Sequence, residues 1–114
     1  MKKQFNIVDS SIKVQQRFNI APTQIVPTVI ETGKGNELHG YRWGLIPHWA
    51  KDKSIGNKLI NARAETVHEK PSFRKSFKTQ RCLIPADGFI EWKKQGKEKY
   101  PHYISLKSDA VFAF

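Results

Sequence analysis

The sequence predicts an α+β protein that is mostly antiparallel β with short helices. Short apolar runs recur along the 114 residues, and turns containing Gly, Asn or Asp separate them, which is typical of antiparallel strands. Two pairs of such runs flank the turns at 33–36 and 95–97, and this predicts two β-hairpins. Segment 71–77 instead shows helix spacing, because Phe73 and Phe77 share a face and Pro71 suits a first turn.

The elements follow in order. Residues 1–18 show neither period clearly, so a loop or a short helix end is expected there before an extended segment. Pro22 disfavours helix at the residue before it, and Pro27 is typical of an edge strand or a bulge. The remaining predicted elements are a first hairpin of strands 25–30 and 37–45, strands at 81–85, 89–93, 100–106 and 110–114, and a turn at 108–109.

The totals limit the kinds of protein this chain can be. The length fits one domain or part of one, and 39% hydrophobic residues suffice for a small core. The formal net charge of +10, from 20 Lys and Arg against 10 Asp and Glu, favours polyanionic partners. Nucleic acid comes first and an anionic membrane surface second. A merely soluble basic protein is the alternative.

Cys82 is the only cysteine, so an intramolecular disulfide or a thiolate zinc site cannot form. A single cysteine, no secretory signal and no membrane-length apolar run indicate a cytoplasmic protein. The four histidines lack ligand spacing and there is no phosphate-binding loop, so neither a metal nor a cofactor is expected. Cys82 itself is expected to be a buried small hydrophobe with a raised thiol pKa rather than a nucleophile.

Segment 61–66, Asn-Ala-Arg-Ala-Glu-Thr, carries the first candidate site residues. At strand spacing Asn61, Arg63 and Glu65 point to one face and the two alanines to the other. Asn61 can orient a reacting group or hold an oxyanion, and Arg63 can clamp a phosphate. A solvated surface is the alternative.

Segment 81–92 ends in Glu91, whose neighbours are partly apolar. Desolvation would raise the pKa of this carboxyl and suit it to general acid–base work. The alternative is an exposed strand residue paired with Lys93. Three tryptophans among many cations suit a stacking platform for single-stranded nucleic acid, although core packing is favoured for Trp43 because it lies within a predicted strand.

Four segments together resemble the motifs of the SOS-response-associated peptidase (SRAP) family, in order and at workable spacings. They are 17–22 (Arg-Phe-Asn-Ile-Ala-Pro), 43–50 (Trp-Gly-Leu-Ile-Pro-His-Trp-Ala), 61–66, and 81–92. The resemblance covers nearly the whole chain but only about the first half of a full family domain. It implies a partial SRAP domain over residues 1–114, without the family's opening segment and C-terminal half, and a barrel-like fold that is incomplete here.

The resemblance implies a protein that senses abasic sites in single-stranded DNA and forms a protective covalent DNA–protein crosslink, with an associated autoproteolytic peptidase activity. In the family, a cysteine after the initiator Met condenses with the ring-opened sugar aldehyde to give a thiazolidine. Asn61 and Glu91 match the family's active-site Asn and Glu, and Arg63 matches an Arg that contacts phosphate. The other DNA-binding candidates lie in the matching aromatic motifs: Trp43, Pro47, Trp49 and Trp92.

Two departures from the family pattern bear on activity. The chain begins Met-Lys-Lys-Gln where the family begins Met-Cys-Gly-Arg, and the family's active-site His lies in a motif beyond residue 114. The nucleophile is therefore expected to be missing, because internal Cys82 has no free α-amine, and enzymatic activity stays an open question. The expected partner is single-stranded DNA, in the cytoplasm and nucleoid-associated when bound. The alternatives are a non-catalytic basic module for single-stranded DNA and an unstable inactive fragment.

Overall fold

The computed structural model describes residues 3–15, 17 and 19–114. Residues 1–2 and Phe18 of the 17–22 motif lie outside the described residues. The described part contains one α-helix, α1 (Arg74–Thr79), and one 3₁₀ helix (Lys53–Asn57). Its strands are β1 (Ile7–Ser10), β2 (Ile25–Thr32), β3 (Gly35–Arg42), β4 (Pro85–Ala86), β5 (Phe89–Gln95), β6 (Glu98–Ile104) and β7 (Phe112–Ala113).

The strands form three sheets, ordered β1–β3–β2, β4–β7 and β5–β6. All pairings are antiparallel except β1 with β3, so the predicted mostly antiparallel class is confirmed. The barrel-like expectation needs correction, because the sheets among these residues are open. Closing a barrel requires every strand to have two neighbours, whereas β5 and β6 pair only with each other.

The first hairpin is confirmed, with a shorter turn than predicted. β2 runs on to Thr32, and only Gly33 and Lys34 separate it from β3. Pro27 lies on an edge strand as expected, because β2 ends the sheet order and, among the described residues, has only the Val29–Leu83 bridge on its other side. This hairpin also holds the hydrophobic core, in which the buried apolar side chains are Val26, Val29 and Leu38.

β1 lies where the sequence predicted a loop or a short helix end. It runs parallel to β3, with Ile7 opposite Asn36 and Ser10 opposite Leu38. Side-chain hydrogen bonds add to the pairing. The His39 ring lies 3.0 Å from both the Ser11 hydroxyl and a Glu37 carboxylate oxygen. Ser11 is 28 residues from His39 and Glu37 is 2 residues from it. The contact with Ser11 therefore could not be predicted from the local sequence pattern.

The second hairpin is confirmed, with a shorter turn than predicted, because its two strands extend to Gln95 and Glu98. β5 and β6 pair from Phe89 opposite Ile104 to Gln95 opposite Glu98, and Gly96 turns the chain with φ = 61°. The left-handed conformation at this position favours glycine.

Two predicted strands are much shorter than expected. Of segment 81–85, only Pro85 belongs to β4, while Leu83 makes one bridge to β2. Of segment 110–114, β7 keeps two residues, although Phe114 and Ile84 exchange backbone hydrogen bonds of 3.0 and 3.1 Å. A cluster of edge-on rings stabilises this region, with centroids 5.4–6.3 Å apart: Phe89, Phe112 and Phe114.

The predicted helix at 71–77 is confirmed, with its bounds displaced towards the C-terminus. α1 starts at Arg74, and Phe73 occupies its N-cap position. The backbone N–H of Phe77 donates to the carbonyl of Phe73 at 2.8 Å, which places the two rings one turn apart as expected.

The chain leaves much apolar surface exposed. The radius of gyration is 15.9 Å, against about 13 Å for a compact chain of this length. Every residue of β6 is exposed, and Trp92 on β5 and Tyr103 on β6 are 62% and 65% exposed. These faces are available for packing or for binding a ligand. No helix in the described residues is long and apolar enough to cross a membrane.

Candidate nucleic-acid interface

Trp43 anchors the segment that leads to Asn61. Its indole N–H donates to the carbonyl oxygen of Ile60 at 2.8 Å, and the backbone N–H of Leu45 donates to Leu59 at 2.9 Å. Trp43 lies just after β3 and is half-buried, so the favoured packing interpretation fits its position. The hydrogen bond of the Trp43 indole N–H to Ile60 holds the Asn61 loop in place. A direct contact between Trp43 and DNA stays a prediction.

A close backbone approach seats the same segment. Gly44 has φ = 130°, and a Cβ there would collide with the carbonyl oxygen of Gly56. The 3₁₀ helix that contains Gly56 is capped by Asp52, whose carboxylate accepts the N–H of Ser54 at 2.9 Å. This hydrogen bond lowers the pKa of Asp52. The residues before Asn61 are thus fixed on a capped, tightly packed turn.

The strand geometry predicted for segment 61–66 is wrong. Residues 61–63 are irregular, and turns begin at residue 64. The carbonyl oxygen of Arg63 accepts the N–H groups of Thr66 and Val67 at 3.2 and 2.9 Å, so the chain coils. In helical turns successive side chains rotate by about 100°, and alternate residues therefore do not share one face.

Asn61 and Arg63 are nevertheless presented to solvent. Both are exposed, as is Glu65. Within the described part of the chain, none of the three side chains has a hydrogen-bond or ion-pair partner. An amide and a guanidinium without internal partners are able to bind an external ligand.

Glu91 lies in the middle of β5, directly opposite His102 on β6. It is exposed, so the predicted apolar enclosure is not formed. The alternative pairing with Lys93 is not formed either, because the ion pairs among residues 3–15, 17 and 19–114 involve only histidines and neighbouring glutamates. Glu91 lines a shallow depression of about 480 Å³ with five other residues: Trp92, Lys93, His102, Tyr103 and Ile104.

The predicted DNA-binding aromatics differ in what they present. Trp92 is 62% exposed and lines the same depression as Glu91, and Trp49 is 50% exposed in the loop before the 3₁₀ helix. Pro47 is buried, and its carbonyl oxygen accepts the N–H of Ala50 at 3.0 Å. Pro47 therefore shapes the Trp49 loop, and its ring has little surface left for a ligand.

The predicted site residues do not gather in one cavity. Glu91 and Trp92 line the depression on the second hairpin, whereas Asn61 and Arg63 lie in the loop that Trp43 holds. The pairing of Glu91 with His102 was missed in sequence, although the hairpin register fixes it once the Gly96 turn is located.

Cys82 needs a correction. It is exposed and precedes β4, whereas a buried strand position was predicted. The predicted direction of its thiol pKa is right, because partial desolvation raises it. In the described ranges, no group of three His, Cys, Asp or Glu residues is arranged to hold a metal ion.

A basic cluster on α1 was also missed. A depression of about 450 Å³ is lined by His68, Arg74, Lys75, Phe77 and Lys78. The available signal was the absence of any Asp or Glu between residues 70 and 86, a stretch with five Lys or Arg. The total charge does not show where the cations lie and therefore does not locate this patch.

Comparison with known proteins decides the family. The sequence model of the protein family described as SOS response associated peptidase (SRAP) matches residues 1–114. The chain belongs to the SRAP family.

Three curated relatives of this chain carry related names. The chain is 54% identical over 101 residues to "Abasic site processing protein YoaM" of Bacillus subtilis (strain 168), covering 88% of the chain and 44% of that protein. It is 57% identical over 98 residues to "Abasic site processing protein YoqW" of the same strain, covering 85% of the chain and 44% of that protein. It is 35% identical over 106 residues to "Abasic site processing protein HMCES" of Xenopus tropicalis, covering 82% of the chain and 32% of that protein. The chain therefore spans less than half the length of these relatives.

Two solved structures share the fold. A protein from Bacteroides thetaiotaomicron has a TM-score of 0.69 at 34% identity, over 80% of the chain and 40% of that protein. A protein from Bordetella bronchiseptica has a TM-score of 0.80 at 23% identity, over 99% and 55% respectively. The fold of this chain is thus shared with part of each of these two proteins.

Proposed function

We propose that this chain is the first half of a SRAP domain and that it holds single-stranded DNA at an abasic site. Family membership and curated relatives named for abasic site processing support the proposal. One structural observation carries it: the Trp43–Ile60 hydrogen bond fixes a loop whose Asn61 and Arg63 side chains are exposed and unpartnered among the described residues. Exposed amide and guanidinium groups of this kind can bind an external, anionic ligand.

Each site residue has a proposed role. Arg63 binds a phosphate next to the lesion, because a guanidinium offers two parallel donors to phosphate oxygens. Asn61 donates to the hydroxyl or oxyanion at the sugar carbon that carries the aldehyde. Glu91 moves protons at that carbon. Trp49 and Trp92 stack on neighbouring bases.

The proposed reaction is crosslinking to the ring-opened abasic sugar. An α-amine adds to the aldehyde and water leaves to give an imine, and a thiol then adds across the C=N bond to close a thiazolidine. Cys82 cannot supply both groups, because its nitrogen is part of a peptide bond. The proposed share of residues 1–114 in the reaction is therefore binding and proton transfer.

Fluorescence anisotropy with a single-stranded oligonucleotide that carries one abasic site tests the binding assignment. Arg63→Gln should weaken binding by about fivefold or more, because one phosphate contact is worth roughly 1 kcal/mol or more. Lys34→Gln in the β2–β3 turn removes the same charge elsewhere and should change the affinity little. Equal effects of the two substitutions would remove Arg63 from the interface.

A non-catalytic module for single-stranded DNA is the second candidate function. The net charge of +10 and the exposed rings of Trp49 and Trp92 favour it. The two functions differ in one property, because such a module binds abasic and undamaged strands equally, with a steep salt dependence in both cases. In either case the proposed location is the cytoplasm.

A further inference from the structure

The α1 basic face consists of Arg74, Lys75 and Lys78 on α1, together with Phe77 and His68. These residues line one depression of about 450 Å³. The face is separate from the candidate site described above, because Asn61, Arg63 and Glu91 do not line it.

The electrostatics of the α1 basic face favour an anion. Arg74 and Lys78 lie four residues apart on the helix, and like charges at this spacing repel each other. In the described part of the chain, no ion pair neutralises any of the three α1 cations. The nearest acidic residue in sequence, Glu69, contacts His68 at 3.3 Å and not the cations. A bound anion would relieve this repulsion, and a folded helix alone does not.

The ring of Phe77 points to nucleic acid among possible anions. It is 44% exposed and lies among the cations in the same depression. An exposed aromatic ring next to phosphate-binding side chains is the arrangement that holds a base and its backbone in single-stranded nucleic acid. A purely electrostatic membrane contact would not need a half-exposed ring among the cations.

The backbone connects this face to Arg63. Successive hydrogen bonds of 2.8–2.9 Å run from Val67 to Arg63, from Lys70 to Thr66, from Arg74 to Lys70 and from Phe77 to Phe73. Two adjacent segments of helical turns, 64–69 and 71–79, therefore connect Arg63 to the α1 cations. A strand held at Arg63 can continue along these turns.

We propose that the α1 basic face is a second binding site for the phosphodiester backbone of single-stranded DNA, flanking the segment that Arg63 holds. The choice of DNA as partner rests on the proposed function. The binding itself does not require an abasic site, because the α1 basic face reads phosphates and one stacked base.

The test compares two double variants of the full chain that lower the net charge equally. Arg74→Gln with Lys78→Gln alters the face while keeping good helix formers, and Lys34→Gln with Lys107→Gln removes two charges from exposed turns. Anisotropy titrations with an undamaged single-stranded oligonucleotide are repeated from about 50 to 200 mM salt. Circular dichroism shows whether both variants keep the fold.

The α1 double variant should lose at least about tenfold in affinity at low salt, and its log–log salt slope should fall by about 1.4, for two lost contacts to a single strand. The control double variant should change both quantities much less. Phe77→Leu should weaken binding with an unchanged slope, because it removes stacking and no charge. Equal losses in the two double variants would overturn the proposal.

Two further outcomes separate this inference from its alternatives. If the α1 double variant loses binding to phosphatidylserine vesicles and keeps its affinity for the oligonucleotide, the face binds membranes and the proposal is wrong. If the α1 effect is present but abasic and undamaged strands bind equally to the unaltered chain, the second site stands and the abasic-site function fails.

Discussion

Gly44→Ala should lower the free energy of unfolding more than the same substitution at Gly33 or Gly96. At Gly44, φ is 130° and a Cβ would collide with the backbone carbonyl of Gly56. The unfavourable φ costs roughly 1–3 kcal/mol, and displacing backbone costs roughly the same again. The expected loss in free energy of unfolding is therefore about 3 kcal/mol.

Substitutions of the other two glycines serve as controls for this measurement. Gly33 has open space around it and no positive φ, so Gly33→Ala should stay within about 0.5 kcal/mol. Gly96 also has open space but turns the second hairpin at φ = 61°, so Gly96→Ala should cost about 1 kcal/mol. Urea denaturation followed by circular dichroism measures all three. If Gly44→Ala behaves like Gly33→Ala, the packing that seats the Asn61 loop is wrong.

Three smaller predictions concern side-chain hydrogen bonds and thiol chemistry. Trp43→Phe should cost about 1 kcal/mol in urea denaturation, because the carbonyl of Ile60 loses its donor; an unchanged midpoint would contradict the anchor. Thr32→Val should raise the lowered pKa of Glu37 in an NMR titration, since the Thr32 hydroxyl is the largest cause of the lowering. The stabilisation from this carboxylate is present above the ordinary Glu pKa and is lost as pH falls through the lowered one. Cys82 should react with iodoacetamide more slowly than a free cysteine at pH 8 and approach its rate as pH rises, because its thiol pKa is raised; equal rates at pH 8 would contradict the desolvation.

The hairpins could be predicted because their signals are local. A glycine turn between two alternating runs fixes both partners, and the register of β5 with β6 follows from the position of Gly96. The pairing of β1 with β3 could not be predicted in this way. It joins Ile7 to Asn36 in parallel, across the intervening strand β2, and no turn residue marks such a contact.

The site could be predicted by residue type and not by geometry. Asn61, Arg63 and Glu65 alternate as strand residues do, yet the carbonyl of Arg63 starts helical turns and separates their directions. Apolar neighbours in sequence suggested that Glu91 is enclosed, but both faces of a two-stranded hairpin stay open, so Glu91 is exposed. Pro47 lies in an aromatic motif and is buried all the same.

The most direct measurement is a pair of anisotropy titrations with the unaltered chain. One oligonucleotide carries a single abasic site, and the other has the same sequence without damage. The proposed function predicts tighter binding to the abasic strand and loss of that preference in Asn61→Ala, with binding to the undamaged strand unchanged. Equal affinity of the unaltered chain for the two strands would contradict the abasic-site function and leave a general single-strand-binding module.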